Sequence, residues 1–168
     1  ELKNGSGFSP VIKGVATNLT GVWPLATPNI EILASGVKIH GFEIQSPTYV
    51  SGSYSSGIVI GATNVEIYDN DFKVWAGNDA NGDEISQAIQ TYYKGAMPGV
   101  DISGLNIHDN TFVNQNSGTQ WGYEGIYVNL DEGTSTINIT DNTFSGELVR
   151  AISVLRSEAS IDGNSILT

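Results

Sequence analysis

From Asn29 onward, apolar and polar residues alternate with a period of two, and no window sustains a helical period. Ile30 and Ile32, Val37 and Ile39, Phe42 and Ile44, and Ile58 and Ile60 are the first such pairs. Val65 and Ile67, Phe72 and Val74, Ile89 and Thr91, Val100 and Ile102, and Leu105 and Ile107 follow. Ile126 with Val128 and Leu130, Ile137 and Ile139, Ile152 and Val154, and the single Ile161 complete the series. Each pair puts its two side chains on one face of an extended strand. Gly, Asn and Asp, the residues that turn a chain, separate the pairs. The pattern predicts an all-β chain of many strands, each about three to five residues long.

The strands repeat as a set. Val65-Glu66-Ile67-Tyr68-Asp69-Asn70-Asp71-Phe72 returns as Leu105-Asn106-Ile107-His108-Asp109-Asn110-Thr111-Phe112. It returns again as Ile137-Asn138-Ile139-Thr140-Asp141-Asn142-Thr143-Phe144, and as Ala159-Ser160-Ile161-Asp162-Gly163-Asn164-Ser165-Ile166 with Ile in place of Phe. A looser copy begins at Val37. The isoleucines Ile39, Ile67, Ile107, Ile139 and Ile161 are 28, 40, 32 and 22 residues apart. The shortest interval is a bare coil of three strands, and the longer ones carry insertions. A repeated supersecondary unit that cannot bury its own apolar face must stack on its neighbours. The prediction is a parallel β-helix solenoid of about five to six coils, three short strands per coil.

Asn70, Asn110, Asn142 and Asn164 share one phase, a bend between two strands. There the side-chain amides can bond from coil to coil, and Asn tolerates a left-handed backbone. Phe72, Phe112 and Phe144 share another phase and are expected to stack inside. In the first copy Phe42 falls at the Asn phase and Ile44 at the Phe phase, so its bend must be built differently. These residues, over about 30–166, resemble the right-handed parallel β-helix family of carbohydrate-binding proteins and sugar hydrolases, which includes the pectate-lyase-like folds. The resemblance implies the fold; the activity is another matter, because one fold hosts many functions. Residues 1–29 are rich in Gly, Pro and Thr and read as an irregular lead-in or an N-terminal coil. Residues 30–168 read as the β-helix, one domain with the lead-in.

The insertions cluster. The intervals Ile44–Ile58, Phe72–Ile89 and Phe112–Ile126 are roughly twice the interval Phe144–Ile152, so one set of long loops precedes the same strand in each coil. A second set follows it, at 93–99 and 131–135. Stacked, the two sets wall one sheet into a groove, floored by Val59, Gln90, Tyr92, Tyr127, Asn129 and Ser153. The walls carry Tyr49, Tyr54, Trp75, Tyr93, Trp121 and Tyr123. Aromatic faces stack on the C–H faces of sugar rings while polar rims bind hydroxyls. The candidate substrate-binding residues are therefore Trp75, Tyr92, Trp121, Tyr123, Tyr127 and Asn129. The alternative is that the aromatics fold back over their own loops.

Charge narrows the partners. Seven Lys and Arg against 18 Asp and Glu give a net charge of −11, which argues against nucleic acid and anionic membrane surfaces. No apolar run approaches a membrane span. Without Cys there is no disulfide framework and no thiolate zinc site. Asp79, Asn81, Asp83 and Glu84 space oxygen ligands as calcium loops do, although Gly82 stands at the fourth position and not the sixth. Calcium is the cofactor this suggests, with a solvated acidic turn as the alternative. His40 and His108 sit two coils apart, about 10 Å at the spacing of paired strands, too far to share a metal, and read as surface residues.

For lyase chemistry the base candidates are Lys94, Arg150 and Arg156; for glycoside hydrolysis Asp79, Asp83, Glu84, Glu124, Asp131 and Glu132 could supply the two carboxylates. The catalytic candidates retained are Lys94, Arg150 and Glu124. No catalytic motif of the family is matched. The chain opens on Glu1 with no visible signal peptide and reads as a mature or excised chain; Asn4, Asn18 and Asn138 head glycosylation sequons. The expectation is an extracellular or cell-surface protein that binds a polysaccharide in the groove, with or without turnover. The alternative is a structural solenoid whose ends, lacking an amphipathic cap, associate with one another.

Overall fold

The computed structural model describes residues 2–3, 11–12, 26–45, 54–73, 86–92, 99–114, 123–129, 136–146, 148 and 150–167. Strands β1 (Leu2–Lys3), β2 (Val11–Ile12) and β3 (Ala26–Ile32) make the first coil. The second coil is β4 (Lys38–His40), β5 (Glu43–Gln45) and β6 (Tyr54–Ile60). The third is β7 (Glu66–Tyr68), β8 (Asp71–Lys73) and β9 (Ser86–Thr91). The fourth is β10 (Asn106–His108), β11 (Thr111–Asn114) and β12 (Tyr123–Asn129). The fifth is β13 (Thr136–Thr140), β14 (Thr143–Gly146) and β15 (Arg150–Leu155), and β16 (Glu158–Asp162) and β17 (Ser165–Leu167) begin a sixth.

Every third strand pairs, always in parallel. The first sheet runs β1-β4-β7-β10-β13-β16, the second β2-β5-β8-β11-β14-β17, and the third β3-β6-β9-β12-β15. This is a right-handed parallel β-helix, the hand that parallel crossovers take. The register follows the repeat: Ile39, Ile67, Ile107, Ile139 and Ile161 pair in sequence in the first sheet. Inside, Phe72, Phe112 and Phe144 stack with centroids 4.7 Å apart at both steps, one strand spacing. Ile44 continues the column on one side and Ile166 on the other.

The bend between the first and second sheets holds the asparagine column. Asn70 Nδ2 donates to Asn110 Oδ1 at 3.1 Å, Asn110 Nδ2 to Asn142 Oδ1 at 3.0 Å, and Asn142 Nδ2 to Asn164 Oδ1 at 3.0 Å. Where Phe42 replaces the asparagine, its backbone N–H donates to Asn70 Oδ1 at 3.1 Å and closes the column. The left-handed backbone expected at the asparagines belongs instead to the residue before each. Asp69, Asp109 and Asp141 have φ of 52°, 54° and 56°, and Gly41 and Gly163 take the same place at 76° and 66°. One residue turns the chain, and this frees the asparagine to point inward.

Two further expectations need correction. Val100 and Ile102 lie outside any strand. Asp101 Oδ1 accepts the Ser103 N–H at 2.8 Å and Gly104 has a φ of 74°, which turns the chain there. Ile102 is nonetheless buried in the core. The third-sheet strands are also longer than predicted, at six or seven residues. The reason is a kink stacked from coil to coil. Ser56 pairs with Gln87 and Ile58 with Ile89, with an interruption between them; Glu124–Gln87 and Ile126–Ile89 show the same gap. Ala88 and Ile89 are consecutive and both lie in the core. A Cβ on Gly125 would meet Phe144 Cε1 at 2.6 Å, so that position also faces inward. Two inward residues in succession reverse the alternation, as a bulge does.

Candidate functional site

The kink decides what the third sheet shows on its outer side. Two rows face away from the core: Ser56, Gln87, Glu124 and Arg150, and three residues on, Val59, Gln90, Tyr127 and Ser153. The rows meet around Glu124. Its Oε1 accepts from Arg150 Nη1 at 2.7 Å and from Ser153 Oγ at 3.1 Å, and its Oε2 from Gln87 Nε2 at 3.4 Å. The carboxylate is buried, whereas 62% of the Arg150 side chain is exposed. Tyr127 and Asn129 are half-buried, and the Asn129 amide donates to the Tyr127 hydroxyl at 3.0 Å. Burial raises the Tyr127 phenol above its usual range, while the Asn129 bond pulls it down; the Glu124 charge adds to the rise and Arg150 and Arg156 oppose it.

Towards the second and third coils the same face closes. Val59, Gln90 and Tyr92 are buried. The Tyr92 hydroxyl donates to Glu31, and burial followed by that bond raises its phenol. The residues expected to floor a groove therefore meet solvent chiefly in the fourth coil, at Tyr127 and Asn129, since Ser153 of the fifth coil is buried as well. The structure joins Arg150 to Glu124 and sets Tyr127 and Asn129 beside them. Lys94, Trp75, Trp121, Tyr49, Tyr93, Asp131, Glu132, Asn4 and Asn18 lie outside the described residues, as do Asp79, Asn81, Asp83 and Glu84. The backbone of Tyr123 opens β12 and that of Tyr54 opens β6, with their side chains outside the described set. Among the described residues no group of three or more His, Asp or Glu side chains could hold a metal ion.

Sequence reasoning missed Ser56 and Gln87. A strict alternation counts them inward, with Ile58 and Ile89. A signal was available: Gly57, Ala88, Gly125 and Ala151 each stand just before Ile58, Ile89, Ile126 and Ile152. A column of small residues at one phase marks a place where the chain presses inward.

On the outer face of the first sheet, the two histidines share a column with Tyr68. The ring centroids of His40 and Tyr68 are 4.5 Å apart, and those of Tyr68 and His108 are 5.1 Å apart. His108 Nδ1 lies 2.7 Å from Asp109 Oδ2 and Nε2 3.2 Å from Glu66 Oε1, and Glu66 also holds Lys38. Burial lowers the His108 pKa, but the bonds to the two carboxylates outweigh it, and the net shift is upward.

No helix among the described residues is long and apolar enough to cross a membrane. A scan against family models, a search of curated proteins and a search of solved structures return no match.

Proposed function

We propose that the chain is a carbohydrate-interacting β-helix of the pectate-lyase-like kind, extracellular or at the cell surface, and that it binds a polysaccharide along the third sheet. One observation supports this most. The outer face of that sheet carries amides, a hydroxyl and a phenol in register across successive coils, so it repeats along one axis as a linear polymer does. The half-buried Tyr127 ring and the Asn129 amide give it one apolar surface beside one polar edge, the combination that suits a sugar. An array of oligosaccharides, screened with and without calcium, tests the reading. Binding that falls about tenfold in Tyr127→Ala is the expected result; no binding to any glycan would sink it. Each hit is assayed for new reducing ends and for unsaturated products. Turnover would give Glu124 and Arg150 catalytic work, and its absence would leave a binder.

A second reading has its own observation. Leu155, Ile161, Ile166 and Leu167 are 46%, 50%, 61% and 57% exposed, an apolar layer on the last described coil. Such a layer, with strand edges beside it, favours association of coil on coil. Sedimentation that shifts with concentration, and is unchanged by Tyr127→Ala, is what this reading predicts.

A further inference from the structure

Among the described residues, five buried side-chain atoms on the outer face of the third sheet have no hydrogen-bond partner: Asn129 Oδ1, and a group of four on three residues, Ser56 Oγ, Gln87 Oε1, and both Oε1 and Nε2 of Gln90. The three residues are at most 1% exposed. Register makes them one group. Ser56 pairs with Gln87, and Gln87 with Glu124; Gln90, three residues on, pairs with Tyr127. Buried polar atoms are nearly always satisfied, and a contiguous set that is not invites a partner.

The chemistry of the set is lopsided towards acceptance. Gln87 Oε1 and Gln90 Oε1 only accept, Gln90 Nε2 only donates, and Ser56 Oγ does either. The Nε2 of Gln87 is already committed to Glu124, which fixes its Oε1 as the free end. A sugar hydroxyl donates and accepts at once, and adjacent hydroxyls could serve all four atoms. A uronate carboxylate is acceptor-only. It would leave both amide oxygens facing an anion, close to the buried Glu124. The guanidinium of Arg150 already holds Glu124 at 2.7 Å. An anion there would be desolvated beside a cation, Arg150, that already pairs with Glu124.

We infer that this row selects neutral, hydroxyl-bearing sugars over uronic acids, with Gln90 and Ser56 as the specificity-determining residues. The inference rests on the glycan-binding reading of the same face. Tyr127, the register neighbour of Gln90 in the fourth coil, is half-buried, and a sugar would have to enter past it to reach the buried atoms.

Titration calorimetry with neutral oligosaccharides of glucose, xylose and mannose, beside oligouronates, tests it on the wild-type chain and on Gln90→Leu and Ser56→Ala. Gln90→Leu removes both orphaned amide atoms at nearly constant volume, so its melting temperature should hold or rise. Neutral binding should fall at least about tenfold in Gln90→Leu and by less in Ser56→Ala. A Gln90→Leu chain that melts later but binds equally well would overturn the inference. If Gln90→Leu fails to fold, unchanged binding in Ser56→Ala overturns it. Preference for oligouronates would also overturn it while leaving the glycan-binding reading in place. Failure of every sugar to bind would remove both.

Discussion

Asn110 shows what one residue carries in this fold. Its Nδ2 donates to Ile67 O and His108 O, both at 2.9 Å, and to Asn142 Oδ1; its Oδ1 accepts the backbone N–H and the side chain of Asn70, both at 3.1 Å. All but the bond to His108 O, which is partly buried, lies in the interior. Asn110→Ala strands several partners at once, and each orphan costs about 1–3 kcal/mol. The expected loss is about 3–5 kcal/mol in urea unfolding. Asn164, partly exposed in the last described coil, has fewer buried dependants. Asn164→Ala should cost about 1 kcal/mol. Equal losses at the two positions would contradict a cooperative column. The role of these asparagines was legible because four of them share one phase with Phe or Ile two residues on. The left-handed turn was assigned one residue too late, since Asp and Asn both tolerate it and only the backbone distinguishes them.

The third-sheet strand is the element where sequence and structure part most. Alternation cannot report a bulge that preserves the isoleucines on both sides. The cost of ignoring it is large: the outward row of Ser56, Gln87 and Glu124 vanishes into an imagined core. Gly125 tests the kink. A Cβ there would lie 2.6 Å from Phe144 Cε1 and 2.7 Å from the carbonyl oxygen of Ala151. The ring is locked in a stack and the carbonyl belongs to a paired strand, so neither can yield easily. Gly125→Ala should destabilise by about 1–3 kcal/mol, the usual cost of overpacking. A neutral substitution, read by thermal melting, would mean that position 125 points elsewhere.

At the scale of the whole molecule, charge sets a pH window. Hydrogen bonds from Lys73 and then Gln45 hold Glu43 below its usual 4.5, and bonds to Lys38 and then His108 do the same for Glu66. Their contribution is present above about 4.5 and is lost as pH falls through their lowered values. His108 has the opposite sign. Its pKa is raised above 6.5, so its contribution is complete below that value and is lost as pH rises through the folded pKa. Melting temperature should therefore peak between the two, and His108→Asn should flatten the alkaline side and, because His108 helps hold Glu66 low, also weaken part of the acid side. An alkaline decline of equal size in the variant would assign it to other groups. The fold itself was readable at this scale because a solenoid writes its register into the sequence every coil. The closure of the sheet's outer face over the second and third coils was not, because alternation separates inside from outside but does not report what is covered on the outside.

The asparagine column has a direction. From asparagine to asparagine each amide donates to the next higher-numbered coil, and the spacing of the members ranges from 22 to 40 residues without breaking a single step. The column reads only the phase of the coil and ignores the length of its loops. A tandem duplication of one coil would thus carry its own splice site: an amide that receives from the coil before and gives to the coil after. Such a chain can lengthen by copying, and each new copy arrives with a loop free to diverge.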